Sequence, residues 1–186
     1  MNINILRINF LAIIIAVLFT ACQKDKIGEG NDEELITTMN LKFTPVNGGA
    51  PVNYSFIDLD GPGGIIATQD EIVLSAATSY NVEVELLNSS ANPVENITEE
   101  VEEEGESHRF YYEPTAGISI SDLNIDSLGT PLGITSKWTT STAGPGAVKI
   151  TLRHYIGTPP DKQNPDPVNS PKSVTDIELT FITRTL

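Results

Sequence analysis

Hydrophobic and polar residues alternate along most of the chain from Leu35 onward. A period of two is typical of β-strands that bury one face and expose the other. In the last such segment, Ile177, Leu179 and Phe181 are predicted to face inward, and Asp176, Glu178 and Thr180 outward. The alternating segments, clear or weak, are residues 35–43, 52–56, 80–86, 110–112, 118–120, 134–138, 148–154 and 177–181.

The segments between these predicted strands are rich in Gly, Pro, Asn and Asp, which are the residues that turns require. Long helical patterns do not alternate with the strands, so a parallel α/β sheet is not expected. The pattern therefore predicts an all-β fold, an antiparallel β-sandwich of two sheets with seven to nine strands. An immunoglobulin-like strand order is one form that this sandwich could take.

One short helix is predicted after Asn96. Asn96 is a suitable N-cap, Glu99 follows three residues later, and Ile97 and Val101 have the i, i+4 spacing of a buried helical face. Gly105 is expected to end the helix, and His108 to begin the next strand. Residues 157–173 are too rich in proline for a strand, and we predict a long exposed hairpin loop there.

The N-terminus predicts export. Arg7 precedes an apolar run over residues 10–19, followed by the small residues Thr20 and Ala21. This is the layout of a secretory signal, and the run is too short to span a membrane. We therefore divide the chain into a signal peptide, 1–21, a flexible acidic tether, 22–34, and a single β-sandwich domain, 35–186.

The only cysteine, Cys22, directly follows the predicted signal. The stretch FTACQKD resembles a bacterial lipoprotein signal, in which this cysteine carries the lipid, and Cys22 to Asp25 resembles the surface-export tag of Bacteroidota. The strings ITTMNLKFTPV, NITEEVEEEGESHRFYY, VKITLRH and TDIELTF are similar to flavobacterial lipoproteins of unknown activity. Some of those proteins carry the label "type 1 periplasmic binding fold", which implies two α/β lobes, whereas the alternation here favours a β-sandwich.

The chain has a formal net charge of −14. An acidic domain repels the phosphates of nucleic acids and anionic lipid head groups, so nucleic acid is not an expected partner. Divalent cations and basic partners remain compatible with this charge. Charge therefore narrows the ligand classes without naming one.

Two acidic loops are candidate calcium sites. Asp58 and Asp60 flank a leucine ahead of a glycine-rich turn, and Asp122, Asn124 and Asp126 recur at every second residue. Carboxylate and amide oxygens are the ligands that Ca²⁺ prefers, although neither loop completes an EF-hand, and both also suit plain turns. A second hypothesis joins Glu106, His108 and His154 in a zinc site, because imidazole and carboxylate bind zinc.

The sequence contains no nucleophile motif and no phosphate-binding loop, so we predict that the protein is not an enzyme. The predicted function is that of an exported outer-membrane lipoprotein, periplasmic or surface-exposed, anchored through Cys22. Its sandwich domain would act as a non-enzymatic binding or accessory module with a protein or carbohydrate partner. The alternative is a calcium-dependent binding or adhesion module that uses the acidic loops.

Overall fold

The computed structural model describes residues 35–61, 63–115 and 117–186. Eleven strands and one helix lie in this part of the chain, and each predicted alternating segment lies in or beside a strand. The strands are β1 Thr38–Pro45, β2 Val52–Ile57, β3 Thr68–Gln69, β4 Ile72–Leu74, β5 Ser79–Asn88, β6 Glu95–Asn96, β7 His108–Pro114, β8 Ile118–Ser121, β9 Thr135–Thr140, β10 Gly144–Tyr155 and β11 Ser173–Thr185. The helix, α1, is Ile97–Glu103.

The strands form two sheets, and the fold is the predicted all-β sandwich. The first sheet has the order β3-β2-β1-β5-β9-β8, with β6 paired to β5, and its pairs are antiparallel. The second sheet has the order β4-β11-β10-β7. Its β10–β11 and β10–β7 pairs are antiparallel, and β4 lies parallel to β11. An immunoglobulin-like relationship stays a prediction.

The core lies between the inner faces of the two sheets. Met39, Leu41 and Phe43 of β1 are completely buried, as are Val148, Ile150 and Leu152 of β10. Trp138 of β9 contacts Phe43 of its own sheet edge-on at 5.1 Å between ring centroids. It also contacts Tyr112 of the opposite sheet at 5.9 Å. Such edge-to-face pairs add roughly 0.5–1.5 kcal/mol beyond burial, so Trp138 ties the two sheets together.

The helix α1 begins as the sequence predicts. The Asn96 side chain accepts a hydrogen bond from the Thr98 N–H, and its Nδ2 donates to Glu99 at 2.9 Å. Ile97 and Val101 are buried against the core. The cap at the other end is Glu104, and Gly105 follows it. A turn follows the helix end and leads to His108, the first residue of β7.

Two features differ from the sequence predictions. Asp176 does not face outward, because the β10–β11 register shifts between Leu152 and Arg153, and the Asp176 side chain is only 3% exposed. The loop between β10 and β11 is not simply an exposed hairpin loop, because Lys162 and Ser170 within it are buried. Asp176 and Lys162 both lie close to His108.

Candidate metal centre

Three potential metal ligands converge where α1 ends and where β7 pairs with β10. Glu104 caps the helix, His108 begins β7, and His154 lies one residue before the end of β10. One ring nitrogen of each histidine and one carboxylate oxygen of Glu104 lie within 4.8 Å of one another. Within residues 35–61, 63–115 and 117–186, no other group of three such side chains approaches this closely.

The sheet itself brings the two histidines together. His108 and His154 are directly opposite each other in the β7–β10 register. Opposite residues of an antiparallel pair have their Cβ atoms about 4.5–5.5 Å apart and share one face of the sheet. The imidazole rings accordingly lie 4.5 Å apart between centroids, tilted by 47°. The pairing of two strands thus fixes two of the three ligands.

The helix end supplies the third ligand and also orients the first. Nδ1 of His108 donates to the backbone carbonyl of Glu104 at 3.1 Å. The proton therefore lies on Nδ1, and Nε2 carries the lone pair of the neutral ring. Histidines that bind metals commonly donate their other N–H to a carbonyl or carboxylate in this way, which fixes the tautomer. Glu104 contributes its carbonyl to this orientation and its exposed carboxylate to the cluster.

Burial favours the neutral form of both histidines. Burial lowers the pKa of His108 to about 4, and His154 and Lys162 add to the shift, whereas the hydrogen bond to Glu104 opposes it. Burial also lowers the pKa of His154, with the Glu104 carboxylate opposing it. A neutral imidazole is the form that binds a metal ion, so the pair needs little deprotonation before it can coordinate one.

A second carboxylate lies beside the cluster. Oδ2 of Asp176 is 3.9 Å from Nε2 of His108, and both side chains are buried. Sequence reasoning missed Asp176, because strict alternation places it on the outer face with Glu178. A β-bulge is invisible to a pattern of period two.

Lys162 holds the β10–β11 loop in place next to the cluster of Glu104, His108 and His154. Its ammonium, 2% exposed, lies 2.7 Å from Oδ2 of Asp126 and donates to the carbonyl of His108 at 2.6 Å. It also donates to the carbonyl of Gly105. Burial alone would raise the pKa of Asp126, but hydrogen bonds from Lys162 and Thr130 lower it to about 2. The loop is therefore anchored by a buried ion pair.

The Asp122–Asp126 segment uses its polar side chains as turn residues. Oδ1 of Asn124 accepts the N–H groups of Gly133 and Thr135, and Oδ1 of Asp126 accepts those of Leu128 and Thr130. Asp122 is 70% exposed, with Lys137 at 3.9 Å. The Lys162 ammonium lies where a cation bound to Asp126 would be. A calcium site in this segment stays a prediction that these contacts do not favour.

In the other acidic loop, Asp60 acts as a turn residue. Oδ2 of Asp60 accepts the N–H of Ile65 at 2.8 Å, which closes the turn. The backbone N–H of Asp58 donates to the carbonyl of Thr37. Calcium binding by Asp58 and Asp60 also stays a prediction.

Of the zinc hypothesis made from the sequence, His108 and His154 are brought together, and Glu106 is not the carboxylate that joins them. Glu106 accepts a hydrogen bond from Ser127 instead. Glu104 was the better choice on spacing, because it precedes His108 by four residues across a helix end. Cys22, the signal peptide and the tether lie outside the described residues, so lipidation stays a prediction.

Scans against protein-family models, curated proteins and solved structures each found no match to this chain. In the part of the chain that the structure describes, no helix is long and apolar enough to cross a membrane.

Proposed function

We propose that this chain is an exported, membrane-anchored lipoprotein whose β-sandwich is a non-enzymatic binding module for a divalent transition-metal ion. The observation that carries the metal is the convergence of Glu104, His108 and His154 ligand atoms within 4.8 Å. The anchor rests on the sequence, where Cys22 follows an export signal. A tethered metal-binding domain is one form of the accessory module that the sequence predicts.

The chemistry of the ligand set favours zinc or a similar borderline metal. Imidazole nitrogen suits Zn²⁺, Cu²⁺, Ni²⁺ and Fe²⁺, whereas calcium and magnesium prefer oxygen alone. Bond lengths of about 2.0–2.2 Å to zinc require small inward movements of the side chains. Glu104 is exposed and His154 is partly exposed, so an ion can reach the site from solvent.

The surrounding charges favour a cation as well. Helix α1 ends with Glu102 and Glu103, Glu104 is its C-cap, and it has no basic residue in its last turn. The carbonyl end of a helix is its negative end, and cations there are stabilising by roughly 0.3–1 kcal/mol. Lys162 is the nearby opposing charge, and Asp126 pairs with it. The Glu104 carboxylate therefore stands at the negative end of the helix, where it favours binding of a cation.

The surface supports a protein partner better than a carbohydrate. Among the described residues, the exposed large hydrophobic side chains are all aliphatic, and the most exposed are Ile65 at 81% and Ile66 at 91%. Sugar rings usually stack on exposed aromatic side chains, whereas exposed aliphatic groups are typical of protein contacts. We include a protein partner in the proposal on this basis.

The metal is tested by calorimetric titration of zinc into the full chain carrying Cys22→Ser, purified in detergent. Cys22→Ser removes the only thiol, which would otherwise bind zinc itself. We expect one ion per chain, and a loss of affinity of about tenfold or more in Glu104→Gln and in His154→Gln. Glu103→Gln is the matched control, because it removes the same charge one residue away. Equal losses in Glu103→Gln and Glu104→Gln would mean only diffuse attraction to acids, and the metal proposal would fail.

The anchor is tested separately on the wild-type chain expressed in a bacterium that processes lipoproteins. We expect the purified protein to carry the mass of acyl chains on Cys22 and to sediment with membranes. Two or more chains hold a protein stably, because each buried methylene contributes about 0.8 kcal/mol. A Cys22→Ser chain that stays in the membrane fraction without added mass would contradict lipid anchoring.

A further inference from the structure

The geometry points to Asp176 as a fourth ligand of the metal at Glu104, His108 and His154, which makes this a closed site of two histidines and two carboxylates. This inference rests on the proposed metal-binding function and deepens it. A closed site holds an ion for storage, transfer or structure, whereas a catalytic site keeps a position open for water or substrate.

Asp176 lies close to one ring nitrogen of His108. Nε2 of His108 lies 3.9 Å from Oδ2 of Asp176. Two ligands of one tetrahedral zinc, each at about 2.0–2.1 Å, are roughly 3.3 Å apart. This pair of atoms is thus close to the separation of neighbouring ligands, whereas Asp176 is outside the group whose ligand atoms all lie within 4.8 Å of one another, so its side chain has to move toward Glu104 and His154 to share their ion. The Nδ1–H bond from His108 to the Glu104 carbonyl already directs Nε2 as the ligating nitrogen.

A β-bulge in the β10–β11 pair orients Asp176. Leu152 pairs with Ile177, and the next residue, Arg153, pairs with Thr175, so Asp176 is the extra residue on β11. Bulges redirect one side chain and are over-represented next to functional sites. Without the shift, Asp176 would alternate outward with the exposed Glu178. With it, the carboxylate is 3% exposed and faces His108.

The four groups differ in how deeply they are buried. His108 and Asp176 are buried, whereas His154 is partly exposed and Glu104 is exposed. An ion can first meet Glu104 and His154 and then be enclosed by the two buried groups. A divalent ion bound to all four groups would also be neutralised by two carboxylates, which suits a buried position.

The test places a reporter ligand at position 176. Cobalt(II) replaces zinc, and the protein is the full Cys22→Ser chain carrying Asp176→Cys. A thiolate bound to cobalt gives an intense near-ultraviolet charge-transfer band, which carboxylate and imidazole ligands do not give. We expect this band in Asp176→Cys and not in Thr175→Cys, whose exposed side chain is the matched control.

Three outcomes are distinguishable. A charge-transfer band in Asp176→Cys supports the inference. Visible cobalt bands without the charge-transfer band show an occupied site that position 176 does not join, and they overturn the inference while the proposed function stands. No cobalt spectrum in the parent Cys22→Ser chain overturns both.

A second variant covers the case in which Asp176→Cys does not fold. Asp176→Asn keeps the size of the side chain and removes its charge. We expect its visible cobalt bands to shift in position or intensity and its cobalt affinity to fall about tenfold or more. Bands and affinity equal to those of the parent would overturn the inference.

Discussion

Two polar sites lie next to residues 104–108, and they balance charge in different ways. One is formed by Asp126 and Lys162, and the other is the histidine cluster of Glu104, His108 and His154. At the Asp126 turn the chain supplies its own cation, because Lys162 lies 2.7 Å from the carboxylate and is almost fully buried. At the histidine cluster burial favours neutral imidazoles, and the carboxylates are those of Glu104 and Asp176. The first arrangement suits a permanent ion pair within the protein, and the second suits a metal ion that binds and dissociates.

Regular spacing of acidic residues along the chain does not by itself leave their oxygen atoms available to a cation. Asp126 lies in the loop with the more regular spacing of oxygen side chains, yet its oxygens accept hydrogen bonds from Leu128, Thr130 and Lys162. The cluster at Glu104 has less regular spacing in the sequence. It is assembled by strand pairing, and on the proposed function its nitrogen ligands would select for transition metals.

The largest effect that we expect is the loss of stability when the buried Lys162–Asp126 ion pair is broken. Lys162→Ala leaves the Asp126 carboxylate buried without its cation, and breaking a buried pair in this way costs about 3–5 kcal/mol. Urea denaturation measures the loss in the free energy of unfolding. Lys42→Ala is the control, because its pair with Glu83 is about half exposed and should contribute at most about 1 kcal/mol. Similar losses in the two variants would mean that the Lys162–Asp126 pair stabilises the fold no more than an exposed ion pair does.

A smaller effect is expected on the pH dependence of stability. The pKa of Asp126 falls from 3.8 to about 2 in the folded protein. A carboxyl whose folded pKa is lowered stabilises the protein above its unfolded pKa, and this contribution disappears as the pH falls through the folded pKa. The contribution is about 2 kcal/mol, present in full above roughly pH 5 and lost towards pH 2.

The measurement compares the wild type with Asp126→Asn by urea denaturation across that pH range, so that the other carboxylates cancel. We expect the difference in unfolding free energy to shrink as the pH falls. A difference that stays constant from pH 5 to pH 2 would contradict the lowered pKa.

The sheets and the helix could be predicted because their signals are local. Alternation marked β5 and β10 directly, and Asn96 with Glu99 marked the start of α1. The strands β3 and β6 have two residues each, and β4 has three, too few to show any period. The sandwich could therefore be predicted from the sequence, whereas its three shortest strands could not.

The site could be predicted only in part, because its determinants are not local. The opposition of His108 and His154 depends on the β7–β10 register, which sequence spacing does not define. The inward direction of Asp176 depends on a register shift of one residue. The burial of Lys162 depends on its contacts with residues more than thirty positions away. Each is a tertiary feature that contradicts or bypasses a local pattern.

The smallest expected effect is that of calcium on thermal stability. An ion that binds only the folded state raises the unfolding temperature, by an amount that grows with its concentration over its dissociation constant. We expect zinc to raise the unfolding temperature of the full Cys22→Ser chain and millimolar calcium to leave it unchanged, since Lys162 and the turn N–H groups engage Asp126. Differential scanning fluorimetry with each ion, followed by chelator, measures this. A calcium-induced rise that Asp126→Ala abolishes would reverse the comparison and favour a calcium-dependent module. A rise abolished instead by Asp58→Ala would place calcium at the other acidic loop, and the histidine cluster would then be a second, separate site.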